Sequence, residues 1–116
     1  MRYLLMIYAD EQAWESADPE GRASMYAEYG ALGDELRDKG EMVGGDELAP
    51  TTTATTVRVS DGERLVTDGP FAETKEQLGG YFLVDVEDLD RAIEIAARIP
   101  AARHGSVEIR PIADGP

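Results

Sequence analysis

The residues able to do chemistry are few, and they gather in two places. The run DGPFAETKEQLGGY, residues 68 to 81, carries Asp68, Glu73, Lys75 and Glu76 between a Gly-Pro turn and a Gly-Gly pair. The segment HGSVEIRPI, residues 104 to 112, carries His104, Glu108 and Arg110. A lysine and an arginine hold anionic or oxygen-rich groups through charge-assisted hydrogen bonds. A carboxylate or an imidazole can move a proton on the same ligand. In the first run, Lys75 is therefore a ligand-binding candidate, and Glu73 and Asp68 are candidate acid/base groups. Phe71, one of two phenylalanines, is expected to anchor the segment in the core. The same charges also describe a solvated surface turn.

His104 is the only histidine. It is either a general acid/base or a loop residue that caps the preceding helix or meets solvent. Val107 and Ile109 share one parity of a strand; Ser106, Glu108 and Arg110 share the other. If the valine and isoleucine meet helices, Glu108 and Arg110 reach the opposite face. There they either pair with each other or line a wet pocket as ligand-binding groups. One histidine cannot form a two-histidine metal site, and no EF-hand spacing is present. With no cysteine, thiolate metal sites, disulfides and a cysteine nucleophile are excluded. GxSxG, GxGxxG and GxxxxGK[ST] are absent. Neither a metal nor a cofactor is expected.

The elements that must position these residues are legible in outline. Arg2 to Ala9 is apolar at both parities, as in a strand covered on both sides. Asp10 to Ala17, with the single tryptophan Trp14, reads as a loop. Asp18 and Pro19 open a helix. Its face is Met25, Tyr29, Leu32 and Leu36, with Gly30 and Gly33 weakening it and Gly40 ending it. Glu41 to Leu48 is a short strand interrupted at Gly44-Gly45, and Thr51 to Thr56 is extended because threonine is β-branched. Val57 and Val59 alternate with Arg58 and Ser60, and Asp61-Gly62 turns the chain into Arg64 to Thr67, a hairpin. Tyr81 to Val86 is a second buried strand. Asp88 caps a helix with Leu89, Ala92, Ile93 and Ala96 on one face, which Pro100 ends. Ser106 to Ile112 is the last strand, and Ala113 to Pro116 a tail.

The order β-α-β, hairpin, β-α-β predicts an α+β, ferredoxin-like βαββαβ sandwich with an inserted β-hairpin. A chain of 116 residues makes one domain, residues 1–116. Both helices would cover one sheet face. The two strands apolar on both sides then require cover for the other face, and a second subunit packed sheet to sheet, a dimeric α+β barrel, provides it.

A net charge of −13, from 24 acids against 11 bases, disfavours nucleic acid and anionic membranes as partners. No segment approaches the roughly 18 apolar residues of a membrane span. The apolar run Tyr3 to Ala9 is shorter than a signal peptide's core. A cytoplasmic protein is expected.

The nine residues Asp68 to Glu76, continued by Gly79-Gly80-Tyr81, resemble letter for letter the signature of the DGPFAETKE family, a branch of the YCII-related proteins. The opening MRYLLMIYAD and the closing HGSVEIRPI resemble that family's first and last strands. The resemblance implies a ferredoxin-like fold that dimerises as an α+β barrel. It implies a pocket wall at Asp68, Gly69, Pro70, Phe71, Glu73 and Lys75, with His104, Glu108 and Arg110 from the last strand. In the wider group it implies pocket enzymes using a His-Asp pair. This chain has no histidine in its first half, so that pair does not carry over. The resemblance also implies a genomic link to extracytoplasmic-function sigma factors. Two readings follow: a homodimer that binds a small molecule, with cofactor-free isomerase- or lyase-type chemistry, or a docking module for a protein such as a sigma factor.

Overall fold

Alternation along the first strand divides its side chains between two environments. Tyr3, Leu5 and Ile7 are buried, while Leu4, Met6 and Tyr8 are only half-buried. The computed structural model describes residues 1–114. The end of the expected tail, residues 115–116, lies outside the described residues.

The elements in chain order are β1 (Arg2–Ala9), α1 (Glu11–Ser16), α2 (Pro19–Asp38), β2 (Met42–Glu47), β3 (Thr55–Ser60), β4 (Glu63–Asp68), β5 (Gln77–Asp85), α3 (Leu89–Arg98) and β6 (Ser106–Pro111). Four strands form one antiparallel sheet in the order β2-β5-β1-β6. The two halves β1-α2-β2 and β5-α3-β6 thus interleave, each placing a strand between the strands of the other. This is the ferredoxin-like α+β arrangement. Strands β3 and β4 form a separate two-stranded hairpin.

Local chemistry sets the helix ends. The Asp18 carboxylate accepts the Gly21 N–H at 2.6 Å, with Pro19 at the first helical position. Gly40 takes φ +72°, the left-handed conformation that ends α2. The Asp88 carboxylate accepts the Arg91 N–H at 2.9 Å and caps α3. Leu32 and Leu36 of α2 and Ala92, Ile95 and Ile99 at α3 close over Tyr3, Leu5, Ile7 and Val84 on one sheet face. Leu5, Leu36, Ile95 and Ile99 are fully buried; each such side chain contributes about 1.5–3 kcal/mol. Arg91 clamps the sheet to α3 by two hydrogen bonds, Nε and Nη2 to the Glu41 carboxylate, at 2.9 and 2.8 Å.

Three expectations need correction. The core face of α3 is not Leu89, Ala92, Ile93 and Ala96: Leu89 and Ile93 are exposed, and Ile95 and Ile99 join Ala92 in the core, because the sheet lies under the turn-to-turn row 92, 95, 96 and 99. The stretch Asp10 to Ala17 is not a loop: Asp10 caps α1 by accepting the Gln12 N–H at 2.9 Å, and Trp14 meets Tyr26 edge-on at 5.3 Å. The threonine run is not extended throughout. Thr51–Thr53 form a 3-10 turn, because the Glu11 carboxylate accepts both the N–H and the hydroxyl of Thr51 at 2.7 Å. The strand starts only at Thr55.

Candidate functional site

The sheet face away from the helices is open. Register places Leu4, Met6 and Tyr8 of β1 beside Leu83, Tyr81 and Leu78 of β5, and beside Arg110, Glu108 and Ser106 of β6. Leu4, Met6, Tyr8, Tyr81 and Leu83 are half-buried and make an apolar floor. One side of the floor is edged by Asp46 of β2, which accepts from the Tyr81 hydroxyl at 3.2 Å. The other is edged by Ser106, Glu108 and Arg110.

Val107 and Ile109 pack against the core, as their parity predicts. Glu108 and Arg110 consequently lie on the open face and pair with each other, at a long 3.5 Å. Both are exposed. Arg110 therefore uses one N–H on a weak contact and keeps further donors for another group.

The motif segment is fixed at both ends. At its start, Gly69 takes φ +109°, which favours glycine, and its N–H donates to Ala54 O at 2.7 Å. The Thr56 hydroxyl donates to Gly69 O at 2.8 Å. At its end, Thr74 donates its hydroxyl to Glu76 O at 2.6 Å, and the Gln77 side-chain amide donates to Thr74 O. The Gln77 side-chain oxygen accepts the Glu11 N–H at 3.0 Å. Glu76 accepts the Ser106 hydroxyl at 2.8 Å. That last bond ties the motif to β6 beside Tyr8, the residue opposite Ser106.

Between those ends, Phe71, Glu73 and Lys75 are exposed, as is Asp68 at the end of β4. Phe71 does not anchor the segment in the core: it is 79% exposed, within the run 71–75 that is exposed throughout, since the segment's hydrogen bonds hold only its two ends. His104 is exposed and follows a 3-10 turn, Pro100–Arg103, two residues before Ser106. Gly105 permits this approach, since a Cβ there would lie 2.2 Å from Tyr8 O. Of the seven nominated residues, only Glu108 and Arg110 touch by a hydrogen bond or ion pair among the described residues. Two open grooves among the described residues lie elsewhere and gather none of them, one at Glu41, Asp88 and Arg91, the other at Tyr29, Met42 and Phe82.

Sequence reasoning passed over Tyr8, Tyr81 and Glu76 as site residues. The tyrosines share strand parity with Met6 and Leu83, a signal present in the alternation. The Glu76–Ser106 bond joins residues 30 apart, and no local pattern announces it.

Among the described residues, no three acidic or histidine side chains gather as a metal ion would need, and no helix is long and apolar enough to cross a membrane.

An antiparallel ferredoxin-like sheet with one open face, edged by this motif, defines a class, and comparison with known proteins agrees. The family model described as "YCII-related domain" matches residues 1–115. An uncharacterised protein of Rhizobium meliloti (strain 1021) is 38% identical over 115 residues, covering 97% of this chain and 93% of the relative. The chain belongs to the YCII-related family.

Proposed function

We propose that the protein is a homodimer that binds a small anionic or oxygen-rich molecule over its open sheet face. The observation that carries this reading is the composition of that face: a half-buried apolar floor edged by Arg110, Glu108, Ser106 and the end of the motif segment. Ligand sites have this character, mostly apolar with a few placed polar groups, and they are enclosed. A second copy supplies the enclosure.

Lys75 and Arg110 hold the ligand's charge. Neither has a strong partner: Lys75 forms no ion pair among the described residues, and Arg110 only the 3.5 Å contact. Glu73, Asp68 or His104 moves a proton, and Phe71 covers the ligand's apolar side. Proton transfer next to a carbonyl needs no cofactor, so the reaction class is isomerisation or elimination.

The test is thermal shift and calorimetry against a panel of small hydroxy- and keto-carboxylates and enol lactones. At least one should raise the unfolding midpoint at millimolar concentration. Lys75→Ala and Arg110→Ala should each weaken its binding about ten- to a hundredfold, as loss of a charge-assisted hydrogen bond does. Both side chains are exposed, so neither substitution should unfold the chain. A panel without a hit, or binding that survives both substitutions, sinks the reading.

One observation favours a second reading. The −13 net charge suits electrostatic docking of a basic protein, such as a sigma factor of the extracytoplasmic-function type. Salt-sensitive capture of such a purified partner, untouched by Lys75→Ala, would select it.

A further inference from the structure

The β3–β4 hairpin has no core of its own and shares almost none of the chain's. Its ladder runs from Thr55 opposite Asp68 to Ser60 opposite Glu63. Val57 and Val66 face each other across it, with Val59 next on the same side. These three valines are 57%, 60% and 72% exposed. Leu65 is exposed on the other side, opposite Arg58. An isolated two-stranded hairpin is at best marginally stable in water, and exposed apolar strands invite pairing.

The dimensions of the chain carry the same message. Its radius of gyration is 16.1 Å, against about 13 Å for a compact domain of this length. Its accessible surface is 8002 Å², whereas a folded monomer of 12.6 kDa exposes about 6,200 Å². The excess, roughly 1,800 Å², lies in the range that one subunit of a permanent dimer buries, about 1,000–2,500 Å².

The two ends of the hairpin are joined to each other by the Gly69 to Ala54 and Thr56 to Gly69 hydrogen bonds, at 2.7 and 2.8 Å. The Thr51–Glu11 bonds fix the chain leading into it. On the valine side of the arm, opposite Val59, Arg64 forms no ion pair among the described residues, in a chain whose net charge is −13. The acidic surface of a second copy offers the counter-charge. In a twofold pair, each copy would present one arm and receive the other, so each favourable contact occurs twice.

We propose that the β3–β4 hairpin is an exchange arm that lies on a second copy of this chain, with Val57, Val59 and Val66 against the partner and Arg64, on the same side as these valines, near its carboxylates. This rests on the homodimer of the preceding reading and adds the element that holds it. The arm brings Asp68 and the following motif segment to the boundary between the two copies.

The experiment uses two variants of the full chain. In Val57→Thr/Val59→Thr/Val66→Thr, β-branching and neutrality are kept and only apolar surface is lost. Sedimentation equilibrium should then show dimer dissociation at least tenfold easier than in the parent, with the far-UV spectrum unchanged. In Val59→Cys, the single cysteine carries a spin label. The label should be immobilised where dimer predominates and mobile after dilution to monomer. If the parent dimerises, the triple variant dimerises equally well and the label stays mobile, the arm is refuted and the homodimer stands. A label immobilised at every concentration places the arm on its own chain and also refutes the proposal. A parent that is monomeric at hundreds of micromolar overturns both readings.

Discussion

Glu41 and Arg91 show what one well-placed pair does in this fold. Their side chains are 16% and 22% exposed, the least exposed of the ion pairs among the described residues. The Arg91 guanidinium donates to both Glu41 oxygens and holds that carboxyl below its ordinary value of 4.5, against the opposing cost of partial burial. The Arg91 guanidinium is pushed up by Glu41 and then by Glu94. Because the folded pKa of Glu41 is depressed, its contribution is fully present above the unfolded value. It is lost as pH falls through the folded one. We predict that Glu41→Gln costs about 1–2 kcal/mol at neutral pH. The cost should be constant above about pH 5.5, begin to shrink near the unfolded carboxyl's value of 4.5, and vanish only as pH falls through the depressed folded value, where the folded parent's carboxylate is protonated too. Urea unfolding of both proteins at pH 3, 4 and 7 measures it, and a difference that does not depend on pH would show that the pair contributes nothing electrostatic. Glu35 is held low by Arg98 in the same direction and steepens the parent's acid response.

At the scale of elements, helix α2 contains a weakness that nothing in the fold requires. An added Cβ at Gly30 meets nothing within 4 Å, whereas one at Gly33 comes 3.2 Å from the Arg37 guanidinium. Gly30 is exposed, and no close approach of the backbone requires a glycine there. Gly30→Ala should stabilise the protein by about 0.5–1 kcal/mol, seen as a higher urea midpoint at unchanged slope. A loss of stability would mean that Gly30 meets another surface in solution. The bounds of α2 and α3 were legible because Asp18, Asp88, Gly40 and Pro100 punctuate them, and the face of α2 from its period; the face of α3 was not, since its apolar residues spread over a wide arc and only the sheet selects Ile95 and Ile99 over Leu89 and Ile93. The hairpin was legible from Asp61-Gly62, where Asp61 takes φ 49° and Gly62 φ 78°. Helix α1 was not, since its six residues include no buried one to set a period. Nor did alternation in β3 and β4 say that the hairpin stands apart: a period of two fixes which residues share a face, not what that face meets. The site was legible to the same depth. The parity of Glu108 and Arg110 followed from Val107 and Ile109, while the exposure of Phe71 did not follow from its apolar side chain, because it lies in an irregular run with no period to assign a face.

Across the whole molecule, one sheet face is closed by α2 and α3 and the other by no helix among the described residues. Leu4, Met6, Tyr8, Tyr81 and Leu83 form that open floor, and a surface this apolar in a protein of net charge −13 is best explained by an occupant that buries it. Met6 lies at its centre, opposite Tyr81 on one side and Glu108 on the other. It points away from the core, so a glutamate there leaves the packing of Leu5, Ile95 and Ile99 untouched. In a sheet-to-sheet dimer the new carboxylate would be desolvated beside Glu108 and beside its own symmetry mate. Met6→Glu should therefore raise the dimer dissociation constant at least a hundredfold, with the far-UV spectrum of the monomer preserved, as read by sedimentation equilibrium at constant salt. Met6→Leu, which keeps volume and polarity, should leave the constant within a few fold. If Met6→Glu dimerises like the parent, the two copies meet elsewhere. The open face would then be free to hold a ligand or a different partner in each chain, and enclosure by a second sheet would no longer account for its apolar floor.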